Sequence, residues 1–142
     1  MLVPNFCRLA ALGLTFRLLI SALVLVGTVP EMVLAQEQNF ATLKSADLAA
    51  MLQKKDFLFV NVHVPYEGEI ANTDAFIPYD KIAESLDKLP KDKSTKIVLY
   101  CRSGRMSEIA ARALLQLGYA RVSHLAGGMI DWKQSGHQII ER

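Results

Sequence analysis

Cys101, Arg102, Ser103, Gly104, Arg105, Met106 and Ser107 form the stretch in which residue type and spacing point most clearly to chemistry. A thiol leads it, two guanidinium groups flank the turn, and a hydroxyl closes it. Before it, Lys96 to Tyr100 (KIVLY) reads as a buried strand. After it, Ser107 to Leu117 reads as a helix, with Ile109, Ala110, Ala113, Leu114 and Leu117 on one face and Gly118 as a C-terminal cap. A loop that leaves the carboxyl end of a strand and enters a helix is where open α/β sheets bind ligands. If it curls around the sulfur, it directs successive backbone N–H groups at it, and the helix amino terminus adds positive potential. Both effects favour the thiolate, Arg102 and Arg105 reinforce them, and Gly104 lets the backbone turn tightly. The expected product is an activated sulfur nucleophile whose anionic adduct is held by amides.

The elements that must position this loop follow from the rest of the chain. Ser45 is a candidate N-cap for a helix with Asp47 in its first turn, Leu48, Met51 and Leu52 on one face, and Lys54 and Lys55 at its end. Phe57 to Val62 (FLFVNV) is β-prone without alternation, which fits a strand covered on both faces. Pro65 to Tyr79 reads as a long loop, and Asp80 as the cap of a helix running to Leu89, before Pro90. Arg121 to Leu125 is another short strand, Gly127-Gly128 a turn beside the cysteine loop, and Met129 to Gln134 a final short helix. Alternating strands and helices predict an α/β domain with a central parallel β-sheet and helices on both faces.

The N-terminal end has a different character. Arg8 and Arg17 precede an uncharged run of 12 residues, Leu18 to Val29, followed by Pro30 and the small-residue site Val33-Leu34-Ala35. The run is short against the ~20 residues of a bilayer span and has the order of a secretory signal peptide. The expectation is a signal peptide over 1–35, cleaved after Ala35, and an exported domain over 36–142 in a periplasmic or other extracytoplasmic space. The rival is an uncleaved membrane anchor, the one case in which a membrane becomes a partner. Without the leader, 14 basic and 13 acidic residues remain, too balanced and too scattered for a nucleic-acid surface. Cys7 leaves with the leader, so Cys101 has no internal disulfide partner.

Other polar residues carry less. His63 stands where it could orient a substrate, though a hydrogen-bonding spacer is the commoner role. His124 and His137 have no partners at metal-ligand spacing, so neither a metal nor another cofactor is expected. Glu67, Glu69 and Asp74 read as a solvated acidic patch, and Trp132 as core.

Three blocks together resemble the rhodanese-like family over Phe40 to Gly136: Phe59-Val60-Asn61-Val62-His63 with Phe76-Ile77-Pro78 downstream, the Cys101 to Ser107 loop, and Leu125-Ala126-Gly127-Gly128 followed by Trp132. The resemblance implies a rhodanese-like α/β fold and a sulfurtransferase. Cys101 would take a sulfane sulfur from a small donor such as thiosulfate, hold it as a persulfide, and pass it to a thiol or other nucleophile. Arg102 to Ser107 would bind the substrate. Asn61 and His63 stand where the family often has Asp and Arg, and Met106 where it often has Arg. The mouth is then less cationic than that of a thiosulfate-selective enzyme, and a lipophilic or thiol persulfide becomes a candidate donor. A cysteine phosphatase or arsenate reductase is a rival of related fold, but its loop ends in an oxyanion-gripping Arg at the position of Ser107. A non-enzymatic exported sulfur carrier or binding module is the rival from another class.

Overall fold

The computed structural model describes residues 39–141. The leader over 1–35 and its cleavage after Ala35 lie outside the described residues. No helix among those described is long and apolar enough to cross a membrane.

The elements run in the order β1 (Ala41–Leu43), α1 (Ser45–Leu52), β2 (Leu58–Asn61), β3 (Ala75–Phe76), β4 (Ile97–Tyr100), α2 (Arg105–Gln116), β5 (Val122–Leu125) and α3 (Gly128–Gln134), with three strands in succession from β2 to β4. The strands form one five-stranded sheet in the order β1-β5-β4-β2-β3, with every pair parallel. β4 sits at the centre and is buried throughout. Its side chains alternate between two cores, as the two-residue period of a strand requires. Ile97 and Leu99 pack with Val60, Val62, Ala110 and Leu114 on the α2 face. Val98 and Tyr100 pack with Leu48, Phe59, Leu125 and Trp132 on the face covered by α1 and α3. The expected parallel sheet with helices on both faces is therefore the observed fold. Each fully buried Leu or Ile in these clusters contributes about 1.5–3 kcal/mol relative to exposure.

Three local expectations are corrected. Ser45 is the first residue of α1 and is buried, its hydroxyl donating to the Asp131 carboxylate of α3. Lys44 is the N-cap instead, its own N–H bound by Asp47 at 3.0 Å. No continuous helix runs from Asp80 to Leu89; the segment is a string of i→i+3 turns ending in a 3₁₀ turn at Leu86–Lys88. Of its apolar residues Ile82 and Leu89 are buried but Leu86 is exposed, so no helical stripe exists to pack. The long loop carries β3 at the sheet edge, where the Asp74 carboxylate accepts the Phe59 N–H at 2.7 Å and pairs with Lys55. Glu69 is buried, its backbone exchanging two hydrogen bonds with Ile140. The acidic patch is thus largely structural, since two of its three members hold the loop to the domain.

Tyr100, the last residue of β4, fastens the same loop from below. Its hydroxyl accepts the Ile70 N–H at 3.0 Å and meets Thr73 Oγ1 at 2.7 Å. Burial pushes the Tyr100 phenol well above its usual range, so it acts as a neutral hydrogen-bonding group.

Candidate active site

Cys101 takes the position after the central strand and is 1% exposed. Its sulfur belongs to the core on the α2 face, alongside Val60 and Val62. The chain then turns within three residues, and α2 begins at Arg105, two residues ahead of the expected start. Gly104 makes this tight turn. Its φ is +94°, a left-handed value that L side chains rarely adopt, and a β-carbon there would lie 1.7 Å from the Ala126 carbonyl oxygen. The Gly104 N–H donates to Cys101 Sγ at 3.1 Å. The sequence leads one to expect several such donors; among the described residues the hydrogen bond from Gly104 is the one formed.

The loop is held from behind by α3. Met129 N–H donates to the Cys101 carbonyl at 2.9 Å and Ile130 N–H to the Arg102 carbonyl at 3.0 Å. Gly128 makes this approach feasible, because a β-carbon on it would fall 2.3 Å from the Cys101 carbonyl oxygen. The expected Gly127-Gly128 turn beside the cysteine loop thus has a defined role: it brings a helix amino terminus onto the loop's carbonyls.

Ser107, fully buried, stands 3.8 Å from Cys101 Sγ through its Oγ. The same hydroxyl donates to the Gly104 carbonyl at 2.9 Å and meets His124 Nδ1 at 3.1 Å. Burial holds the His124 imidazole below its ordinary pKa, and Arg112 acts in the same direction, whereas the Glu108 carboxylate and the Gly104 carbonyl oppose them. Sequence spacing gave His124 no role. Its place in β5 next to Leu125 and Ala126 becomes informative only once β5 is known to lie beside β4.

The remaining loop residues separate. Arg102 is exposed, its Nε 3.5 Å from Glu67 Oε2, and it lines a cavity of about 160 Å³ with Glu67, Met129 and Lys133. Arg105 and Ser103 are also exposed and line a different groove, of about 570 Å³, with Phe40, Arg112 and His124. The two guanidinium groups therefore face different cavities and do not converge. Met106 is half-buried and packs against the core that contains Cys101, which suits an apolar side chain better than a charged one.

Asn61 and His63 lie at and just beyond the carboxyl end of β2, the strand beside β4. Asn61 is buried; its Nδ2 donates to the Gly68 carbonyl at 2.9 Å and its Oδ1 accepts the His63 N–H at 3.0 Å. An amide supplies both donor and acceptor, which a carboxylate does not. His63 is buried, with Nε2 3.5 Å from the Glu67 carboxylate that also faces Arg102. Among the described residues, no group of three or more His, Cys, Asp or Glu gathers at metal-binding distance.

The chain is similar to known proteins over most of its length. A sulfurtransferase of Allochromatium vinosum is 39% identical over 90 residues, covering 61% of this chain and 80% of that protein. A tRNA uridine(34) hydroxylase of Erwinia tasmaniensis is 35% identical over 104 residues, covering 69% of this chain but only 30% of the hydroxylase. Among solved structures, a rhodanese-related protein from Thermoplasma volcanium superposes with a TM-score of 0.61 at 27% identity, covering 71% of this chain and 98% of that one. The Rhodanese-like domain family matches residues 44–135, a span that takes in α1 through α3 with the cysteine loop inside it. The chain belongs to the rhodanese-like domain family.

Proposed function

We propose that this protein is a sulfurtransferase that carries a transferable sulfur on Cys101, taking it from thiosulfate or a related persulfide donor and passing it to a thiol. The observation that carries the reading is the 3.1 Å hydrogen bond from the Gly104 N–H to a sulfur sunk at the amino end of α2. A thiolate there attacks the outer sulfur of thiosulfate, the old sulfur–sulfur bond breaks, and sulfite leaves with the electron pair. The persulfide anion stays beside the Gly104 N–H and the helix amino terminus, which stabilise negative charge. An acceptor thiolate then attacks the outer sulfur, and Cys101 leaves as the thiolate. No metal or organic cofactor enters the cycle, and both substrates are small molecules.

Two features favour sulfur over phosphate chemistry. The side chain where a phosphatase would carry its gripping Arg is Ser107, buried and bonded to Gly104 and His124. The similar Allochromatium protein is named a sulfurtransferase. The order of the leader-like segment supports export in this proposal, and an exported form should begin at Gln36 on N-terminal sequencing. The deciding experiment is intact-mass analysis of purified protein after incubation with thiosulfate. One added sulfur atom, removed by a small thiol, is the expected result; a parent protein that gains none overturns the reading.

A further inference from the structure

The Ser107 hydroxyl is contacted from three sides, by the Cys101 thiol as a donor and by two groups that can take its single proton. Cys101 Sγ lies at 3.8 Å, the Gly104 carbonyl at 2.9 Å and His124 Nδ1 at 3.1 Å. Ser107 is wholly buried and Cys101 is 1% exposed, so the thiol has little direct contact with water. His124 is 6% exposed, yet it is part of the wall of the 570 Å³ groove shared with Phe40, Ser103, Arg105, Glu108 and Arg112. A Cys–Ser–His line thus runs from the sulfur through the first turn of α2 to an open groove lined by residues of β1, β5 and α2.

We propose that Ser107 and His124 form a proton path along which the Cys101 proton leaves to the groove and returns. The proposal rests on the sulfur-transfer reading of Cys101. On the way out, the Ser107 hydroxyl turns its proton from the Gly104 carbonyl to His124 Nδ1 and passes it there, while the Sγ–H proton passes to Ser107 Oγ. The imidazolium releases its Nε2 proton to water in the groove. The electron pair left on Sγ forms the bond to the donor's outer sulfur. After transfer to the acceptor, Cys101 is a thiolate, and a proton taken up at Nε2 returns through Nδ1 and Ser107 to the sulfur. Each half-cycle leaves the ring in the tautomer the next one needs.

The surroundings fit a ring that is charged only in passing. The charged groups facing His124 all come from α2: Glu108 favours the imidazolium, while Arg112 and burial disfavour it, and Arg105 adds positive charge to the same groove. β1 contributes Thr42, paired with His124 in register, and β4 contributes Leu99; neither titrates. The Phe40 ring and the imidazole meet at right angles, 5.0 Å between centroids, a contact that favours one orientation of the imidazole. His124 is therefore a positioning residue that acts through Ser107.

The test is the pH profile of persulfide formation from thiosulfate in the parent, Ser107→Ala, His124→Asn and the double variant. Each single variant should lose roughly 100-fold below neutral pH. The loss should shrink at alkaline pH, where hydroxide can take the proton directly, and the double variant should be no slower than the slower single one. Imidazole added to His124→Gly should restore the rate in a saturable way. Parent-like rates in His124→Asn overturn the proposal, as does a uniform loss at every pH without imidazole rescue. Alkylation of Cys101 by chloroacetamide separates this proposal from the reading beneath it. A His124-dependent alkylation profile in a protein that loads no sulfur keeps the path and removes sulfur transfer; sulfur loading with no His124 dependence in either reaction does the reverse.

Discussion

The α-carbon of Gly104 lies against the carbonyl of Ala126 so closely that a β-carbon on it would sit 1.7 Å from that oxygen. The contact joins the cysteine loop to the end of β5, and it coincides with the left-handed φ that lets the Gly104 N–H turn toward Sγ. Gly104→Ala therefore adds backbone strain and overlap at the same atom. Each effect costs about 1–3 kcal/mol. Urea denaturation should show a loss of about 2–6 kcal/mol if the two add, together with slower sulfur loading. A variant as stable as the parent would mean that the loop can retreat from Ala126 without cost.

Arg102 and Arg105 look equivalent in the sequence, but they face different cavities, and Arg102 is opposed by Glu67. Both are exposed, so their field reaches the sulfur mainly through solvent. Replacing each with Gln should weaken reaction with thiosulfate by about two- to fivefold at low salt, with a smaller effect on an uncharged persulfide donor. The Arg105 change should be the larger, since among the described residues no carboxylate lies as near to it as Glu67 does to Arg102. Identical kinetics of both variants and the parent at low ionic strength would remove charge from the account of the site.

What the sequence disclosed and what it withheld have different physical origins. β4, α2 and the cysteine between them were legible because burial of KIVLY and the apolar face of α2 are local patterns. The parallel sheet followed from alternation alone. Ser45 was misplaced as a cap because its true partner, Asp131, lies in α3 and cannot be inferred from neighbours. Asp80 to Leu89 carried a cap and a stop but no apolar stripe, so the helix signals lacked a face to bury. Glu69 and Asp74 read as solvated because charge is normally exposed, whereas both are held by loop contacts with Ile140, Phe59 and Lys55. His124 was silent for the same reason: only the adjacency of β5 to β4 brings it to Ser107.

Stability should depend on His124 in a defined direction. Burial lowers its pKa in the folded protein below the ordinary 6.5, so near neutral pH and above both states hold it uncharged. As pH falls through about 6.5 the unfolded chain binds the proton first, and stability declines until the folded-state value is passed. His124→Asn should flatten the stability curve between about pH 7 and 5, a window taken from the ordinary His value and the downward shift. Thermal melts at a series of pH values would check this. A parent curve no steeper than the variant's would show that His124 is protonated as readily in the fold as outside it.

Cys101→Ser is the substitution on which the function turns. The hydroxyl would enter a place already furnished with a donor, the Gly104 N–H, and an acceptor, Ser107 Oγ, so its polar atoms stay satisfied despite complete burial. The net effect on stability should be about 1 kcal/mol or less, and circular dichroism should be unchanged. Chemistry should not survive. A serine alkoxide is hard to form and cannot hold sulfur in a reversible bond that a thiol exchanges, so the variant should gain no mass from thiosulfate and transfer none to cyanide or a small thiol. The parent should do both. A folded Cys101→Ser protein that still turned over would place the sulfur elsewhere, and a parent that ignored thiosulfate but hydrolysed phosphate esters would move the site to anion-ester chemistry despite the serine at position 107.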